Sequence, residues 1–142
     1  MASEKRLKIH SDGGSRGNPG PAAIGIVLED PDGNVIKEFK RYIGKATNNQ
    51  AEYEALIEAL KLAGLYWKGP VECFTDSELL IKQVNGEYDV KNKELKVAHA
   101  AVEKLAKQFP SINFSHVHRE DKVQAIADKL VNEALDEAMG KK

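Results

Sequence analysis

Near residue 48 the hydrophobic period of this chain changes from two residues to that of a helix, and the change limits the folds open to it. Before it, residues from Arg6 to Asp12 alternate, with Leu7 and Ile9 on one side and Lys8, His10 and Asp12 on the other, as a strand does. The run Gly13-Gly14-Ser15-Arg16-Gly17-Asn18-Pro19-Gly20-Pro21 has turn chemistry throughout. Two further strands are read from Ala22 to Glu29 and from Val35 to Tyr42, joined by the short loop Asp30-Pro31-Asp32-Gly33-Asn34. From Asn48 to about Gly64, apolar residues recur at helix spacing (Ala51, Ala55, Leu56, Ala59, Leu60, Ala63). Thr47 or Asn48 is available as a cap and Gly64 as a stop.

The remaining segments alternate between the two types. Val71 to Thr75 reads as a strand, Asp76-Ser77 as the cap of a helix running to about Val84, and Leu95 to Gln108 as a helix closed by Phe109-Pro110. Ile112 to Val117 is a strand and Lys122 to about Met139 a helix. The order βββαβααβα predicts a mixed α/β fold. Its five-stranded sheet is antiparallel first and parallel later, with helices flanking it.

No repeat, low-complexity tract or linker interrupts the 142 residues, so one domain over 1–142 is expected. With 42% hydrophobic and 30% charged residues the chain has a globular composition. No apolar run approaches the roughly 18–20 residues that cross a membrane. Met1-Ala2-Ser3-Glu4-Lys5-Arg6 lacks the apolar core of a signal peptide. The single cysteine, Cys73, cannot form an internal disulfide, and a cytoplasmic location is expected. Nothing points to a membrane or an obligate protein partner.

Four acids sit where such a sheet gathers them. Asp12 ends the first strand and Asp76 the fourth; if those strands are parallel neighbours, both reach the carboxyl edge, the usual ligand site of α/β proteins. Glu52 shares a helix side with Leu56, Ala59 and Leu60, and Asp128 lies beside Val131 and Leu135 at the margin of a buried stripe. Each has a local role available: Asp12 as a turn former, Asp76 as a cap, the other two as solvated helix acids. Together they resist that explanation, because clustered carboxylates repel unless a cation lies among them. A donor set of oxygens alone selects a hard ion, Mg²⁺ or Mn²⁺, over zinc.

Four segments, Asp12-Gly13-Gly14-Ser15-Arg16-Gly17-Asn18-Pro19-Gly20, Thr47-Asn48-Asn49-Gln50-Ala51-Glu52-Tyr53, Thr75-Asp76-Ser77 and Ala127-Asp128, resemble in order and spacing the signature blocks of type 1 ribonucleases H. Asn85-Gly86-Glu87-Tyr88 and His116-Val117-His118-Arg119-Glu120 are similar to the wording of compact archaeal-type and bacterial members. The resemblance implies an endonuclease that cuts the RNA strand of an RNA–DNA hybrid with two Mg²⁺ ions, leaving 5′-phosphate and 3′-hydroxyl ends. It implies that Asp12 bridges the ions, with Glu52, Asp76 and Asp128 completing the ligand set. It implies further that Ser15, glycine-loop amides from Gly13, Gly14 and Asn18, and Glu52 meet the 2′-hydroxyls. Asn48, Asn49 and Glu78 are then expected at the minor groove, and Thr47 on a DNA-strand phosphate.

A histidine on the loop after the last strand, helping proton transfer or product release, is also implied. Spacing from Asp128 favours His118; local wording favours His116. His10 and His99 read as structural or exposed. Two departures stand out: Gln124 replaces the common Asn four residues before the last acid, which is expected to loosen that acid, and Glu78 replaces a common Gln. The segment from Asn85 to Glu94 is too short for the basic handle of some bacterial members, leaving Lys82, Lys91, Lys93 and Lys96 as the nearest basic residues. The net charge of −1 requires nucleic-acid contacts to come from local charge placement. Two other readings stay open: an inactive hybrid-binding module of the same fold, and an integrase-like strand-transfer enzyme. Four intact acids oppose the first, and the long interval from Asp76 to Asp128 opposes the second.

Overall fold

The computed structural model describes residues 5–140; residues 1–4, part of the segment read as lacking a signal-peptide core, lie outside that range. The elements follow the expected order: β1 (Leu7–Ser15), β2 (Gly20–Glu29), β3 (Val35–Ala46), α1 (Asn48–Tyr66), β4 (Val71–Thr75), α2 (Glu78–Val84), α3 (Lys93–Ala106), β5 (Ile112–His116) and α4 (Lys122–Ala138). The sheet runs β3-β2-β1-β4-β5. Its first three strands pair antiparallel, whereas β1 with β4 and β4 with β5 are parallel. No helix among the described residues is long and apolar enough to cross a membrane.

Alternation along the strands builds two cores. Leu7, Ile9, Ile24, Ile26 and Leu28 meet Leu56, Ala59 and Leu60 of α1 in the main cluster. On the opposite side, Ala23 packs with Val131, Ala134 and Leu135, and Val27 with Ala127 and Leu130, all on α4. Covering both faces explains why β2 reads as a continuous apolar run. α4 also lies over the Lys8, His10 and Asp12 side of β1, so His10 and Asp12 are buried.

Several boundaries differ from the sequence reading. Gly13, Gly14 and Ser15 are strand, not turn, because they pair with Ile24, Ala23 and Ala22; only the following residues make the loop, and β2 begins at Gly20. β3 continues beyond Tyr42 across an irregularity at Ile43, where Gly44 takes φ +84°. Gly64 does not stop α1, which runs to Tyr66. Gly64 lies against the tip of the Gln108 side chain. Asn92 caps α3, so that helix starts at Lys93, two residues early, and ends at Ala106. β5 stops at His116 rather than Val117.

Candidate active site

Two glycines let the flanking helices approach the sheet closely enough to deliver acids. A Cβ on Gly13 would overlap the Ala51 carbonyl, so α1 touches β1 backbone to backbone immediately before Glu52. A Cβ on Gly25 of β2 would overlap the Ala127 carbonyl and lie 2.9 Å from Leu130 Cβ, so α4 rests on β2 immediately before Asp128. Thr47 anchors the start of α1 with a capping box: its hydroxyl accepts from Gln50 N–H at 3.1 Å while Gln50 Oε1 accepts from Thr47 N–H at 2.8 Å. Such a cap stabilises a helix end by about 1 kcal/mol. Ser77 caps α2, accepting from Leu80 N–H at 3.2 Å, and its side chain also hydrogen-bonds Glu52.

The parallel pairing of β1 and β4 places Asp12 beside Asp76, as their positions in sequence imply. Carboxylate oxygens of Asp12, Glu52 and Asp76 lie within 4.8 Å of one another. Asp128 joins from α4 through a side-chain hydrogen bond to Asp12. Burial, then the charges of Asp76, Asp128 and Glu52, push the Asp12 carboxyl from 3.8 to about 8. Burial also raises Glu52 to about 7, with Asp76 adding to the rise and the Ser77 hydrogen bond opposing it. Asp76 is raised by burial as well, against the lowering effect of Arg119. Four acids crowded around one cleft, Asp12 buried and Asp76 and Asp128 half-buried, are a poor structural device and a good cation cradle: the donors are all carboxylate oxygens, which suits a divalent ion.

The acids floor a cleft of about 500 Å³ whose walls include Ser15, Asn48, His116, His118, Arg119 and Asn132. The Ser15 hydroxyl is buried with no hydrogen-bond partner among the described residues. Asn48 accepts from Ser15 N–H at 3.3 Å, and its own N–H donates to Asn18 Oδ1 at 2.9 Å, so these residues brace one another. Gly13 and Gly14 lie in the strand bordering the cleft. Asn49 is exposed on the first turn of α1. Glu78 stands apart, exposed on α2 and 3.6 Å from Lys82 Nζ.

Sequence reading missed Arg119 and Asn132. Arg119 belongs to a loop without periodicity, and Asn132 signals only by following Asp128 one helical turn on. Gln124, the residue expected to loosen the last acid, is itself fully buried and bonded on both sides.

A family model described as reverse transcriptase-like matches residues 10–134. The chain is 43% identical over 133 residues to the Ribonuclease HI of Halobacterium salinarum, covering 94% of this chain and 66% of that protein, so it spans about two thirds of the relative's length. It is 34% identical over 155 residues to a Ribonuclease H of Clostridium botulinum, covering 94% of this chain and 97% of the relative. Among solved structures, LC11-RNase H1 in complex with an RNA/DNA hybrid superposes with a TM-score of 0.89 at 44% identity, over 94% of this chain and 99% of that one.

Proposed function

The chain belongs to the ribonuclease H family, and from that premise we propose that it is an endonuclease hydrolysing the RNA strand of RNA–DNA hybrids. The observation that carries this reading is the convergence of Asp12, Glu52 and Asp76, with Asp128 bonded to Asp12, on one cleft. Asp12, Glu52, Asp76 and Asp128 would hold two Mg²⁺ ions, for which Mn²⁺ could substitute. Bound there, the metal supplies the positive charge that favours ionised water and a developing alkoxide. Water attacks phosphorus and gives up a proton, the bond from phosphorus to the 3′-oxygen breaks, and that oxygen takes a proton, so the ends are a 5′-phosphate and a 3′-hydroxyl.

The chain's own residues select and orient the strand. Ser15 offers a buried hydroxyl with no protein partner at the cleft wall, suited to a ribose 2′-hydroxyl, the group that separates RNA from DNA. The backbone of Gly13 and Gly14 borders the same strip without side chains in the way, and Asn18 holds the entrance of α1 by its bond to Asn48. Asn48 and Asn49 meet the minor groove. Thr47 uses a lone pair for capping, which leaves its proton for a DNA-strand phosphate. Glu78 serves, if the strand extends across α2, as a more distant groove contact. His118 on the loop after β5 handles protons; His116 is close enough to Asp76 to lower its carboxyl, a second role in the same cleft. Residues 1–142 act as one domain in the cytoplasm, where buried Cys73 stays reduced.

The test is one gel assay of RNA–DNA, RNA–RNA and DNA–DNA duplexes in Mg²⁺ and in EDTA. Cleavage is expected inside the RNA strand of the hybrid, dependent on Mg²⁺, and lost when the ribonucleotides flanking the cut are replaced by deoxyribonucleotides. Equal cutting of the DNA–DNA duplex overturns the assignment.

A further inference from the structure

Behind the carboxylates, a second set of polar side chains is buried between β1, β2 and α4. Gln124, in the first turn of α4, has no exposed surface, and His10 and Glu29 are 3% and 8% exposed. Gln124 Nε2 donates to the Ser11 carbonyl at 2.8 Å. That bond fixes which way the amide faces and leaves Oε1 to accept from His10 Nδ1 at 3.1 Å. His10 Nε2 in turn lies 3.3 Å from Glu29 Oε1, and its ring stacks on Phe74 with centroids 4.8 Å apart. The links therefore run from the backbone of β1 to α4, back to β1, and on to the end of β2.

Burying three polar side chains in an otherwise apolar layer is unfavourable unless each is satisfied, and apolar side chains would join helix to sheet with no such demand. What the polar set adds is a defined separation. Its attachment points flank the acids: Ser11 adjoins Asp12, His10 shares the Asp12 face of β1, and Gln124 precedes Asp128 by one helical turn. A hydrogen-bonded amide holds α4 at one height over β1, whereas an apolar contact leaves the helix free to slide by fractions of an ångström. The contact between Asp12 and Asp128 spans the same two elements and is sensitive to that slide.

We propose that Gln124, His10 and Glu29 are positioning residues that hold Asp128 against Asp12 for metal binding. This rests on the metal-site reading above. None of the three touches substrate; they act through the two acids at either end of the cluster.

The experiment compares wild type with Gln124→Leu, His10→Phe and the double variant. Mg²⁺ binding to the folded protein is followed by titration calorimetry, beside melting curves and cleavage kinetics. His10→Phe keeps the stacked ring and removes both hydrogen bonds. Each single change is expected to weaken Mg²⁺ binding roughly tenfold, the scale on which groups behind metal ligands act, and to raise the Mg²⁺ needed for half-maximal cleavage equally. KM for the hybrid should stay near wild type. Because the three act as one chain, the double variant should lose about as much as the worse single variant rather than the product of the two. A milder variant, Glu29→Gln, retains volume and a carbonyl acceptor; it should fold even where the others do not, and show a smaller loss of the same kind. Folded variants that bind Mg²⁺ as wild type does, with only their melting temperatures lowered, overturn the inference and leave a purely structural clamp. Losses that multiply in the double variant overturn it too. A wild-type protein that fails to bind Mg²⁺ removes the metal-site reading itself, and the inference with it.

Discussion

In metal-free protein the charge on Asp12 opposes folding, and replacing it with asparagine should show by how much. The carboxyl is raised from 3.8 to about 8, chiefly by burial and then by Asp76 and Asp128. At about 1.4 kcal/mol per tenfold change in proton affinity, ionising it in the folded protein costs on the order of 5 kcal/mol. The direction follows from proton counting. Between about pH 4 and pH 8 the folded state holds a proton that the unfolded chain has released, so stability falls as pH rises through that window. Glu52, raised to about 7, adds a slope of the same sign. Asp12→Asn keeps the shape without the charge and also relieves its neighbours, although a buried amide with incomplete hydrogen bonds offsets part of the gain. A remaining advantage of ~3 kcal/mol raises the melting temperature by about 10 °C in a domain of this size. In EDTA near about pH 9 the variant should therefore melt well above wild type, while near about pH 5 the two should agree within a few degrees. Mg²⁺ should then raise the wild-type midpoint by mass action, do less for the variant, and leave the variant unable to cut. Parallel melting-versus-pH curves for the two proteins in EDTA would refute the picture of a repelling, buried carboxylate.

Gly25→Ala forces α4 away from β2, because the new methyl would meet the Ala127 carbonyl and Leu130 Cβ; stability should fall by about 1–3 kcal/mol and cleavage by more than the melting curve alone accounts for. An unchanged melting temperature would show that the helix is not seated on the strand. Lys91→Ala, Lys93→Ala and Lys96→Ala, each on an exposed position around the start of α3, should raise KM more than they lower kcat and make binding less salt-dependent. If KM is unchanged in all three, these lysines are a solvated face and the hybrid follows another path.

Much of this was legible in the residues because local pattern and global fold agree. The period-two segments and the helical stripe over Ala51, Ala55, Leu56, Ala59 and Leu60 place the elements, and Asp12 falls on β1 with Asp76 immediately after its parallel neighbour β4. What escaped was decided by contacts between distant segments. Gly13 and Gly14 look like turn residues in isolation, yet they are strand because β2 pairs with them and α1 needs the space a side chain would fill. Gly64 carries a helix-stop signal, yet α1 runs two residues past it to Tyr66. His10 read as either structural or exposed, and only the placement of α4, more than a hundred residues on, makes it interior. Gln124 read only as a departure four residues before the last acid, because its partners, Ser11 and His10, are remote in sequence.

The delivery of Asp128 by α4 has a consequence for how such a chain is made. The strands carrying Asp12 and Asp76, and the helix carrying Glu52, leave the ribosome well before α4, which docks on the far side of the sheet. Until α4 has been translated and has settled over Gly25, the growing polypeptide has three acids and an open apolar strand face, with neither the fourth acid nor the Gln124 bond. On the reading proposed above, the cradle for the metal is complete only when the segment that closes the second core has docked.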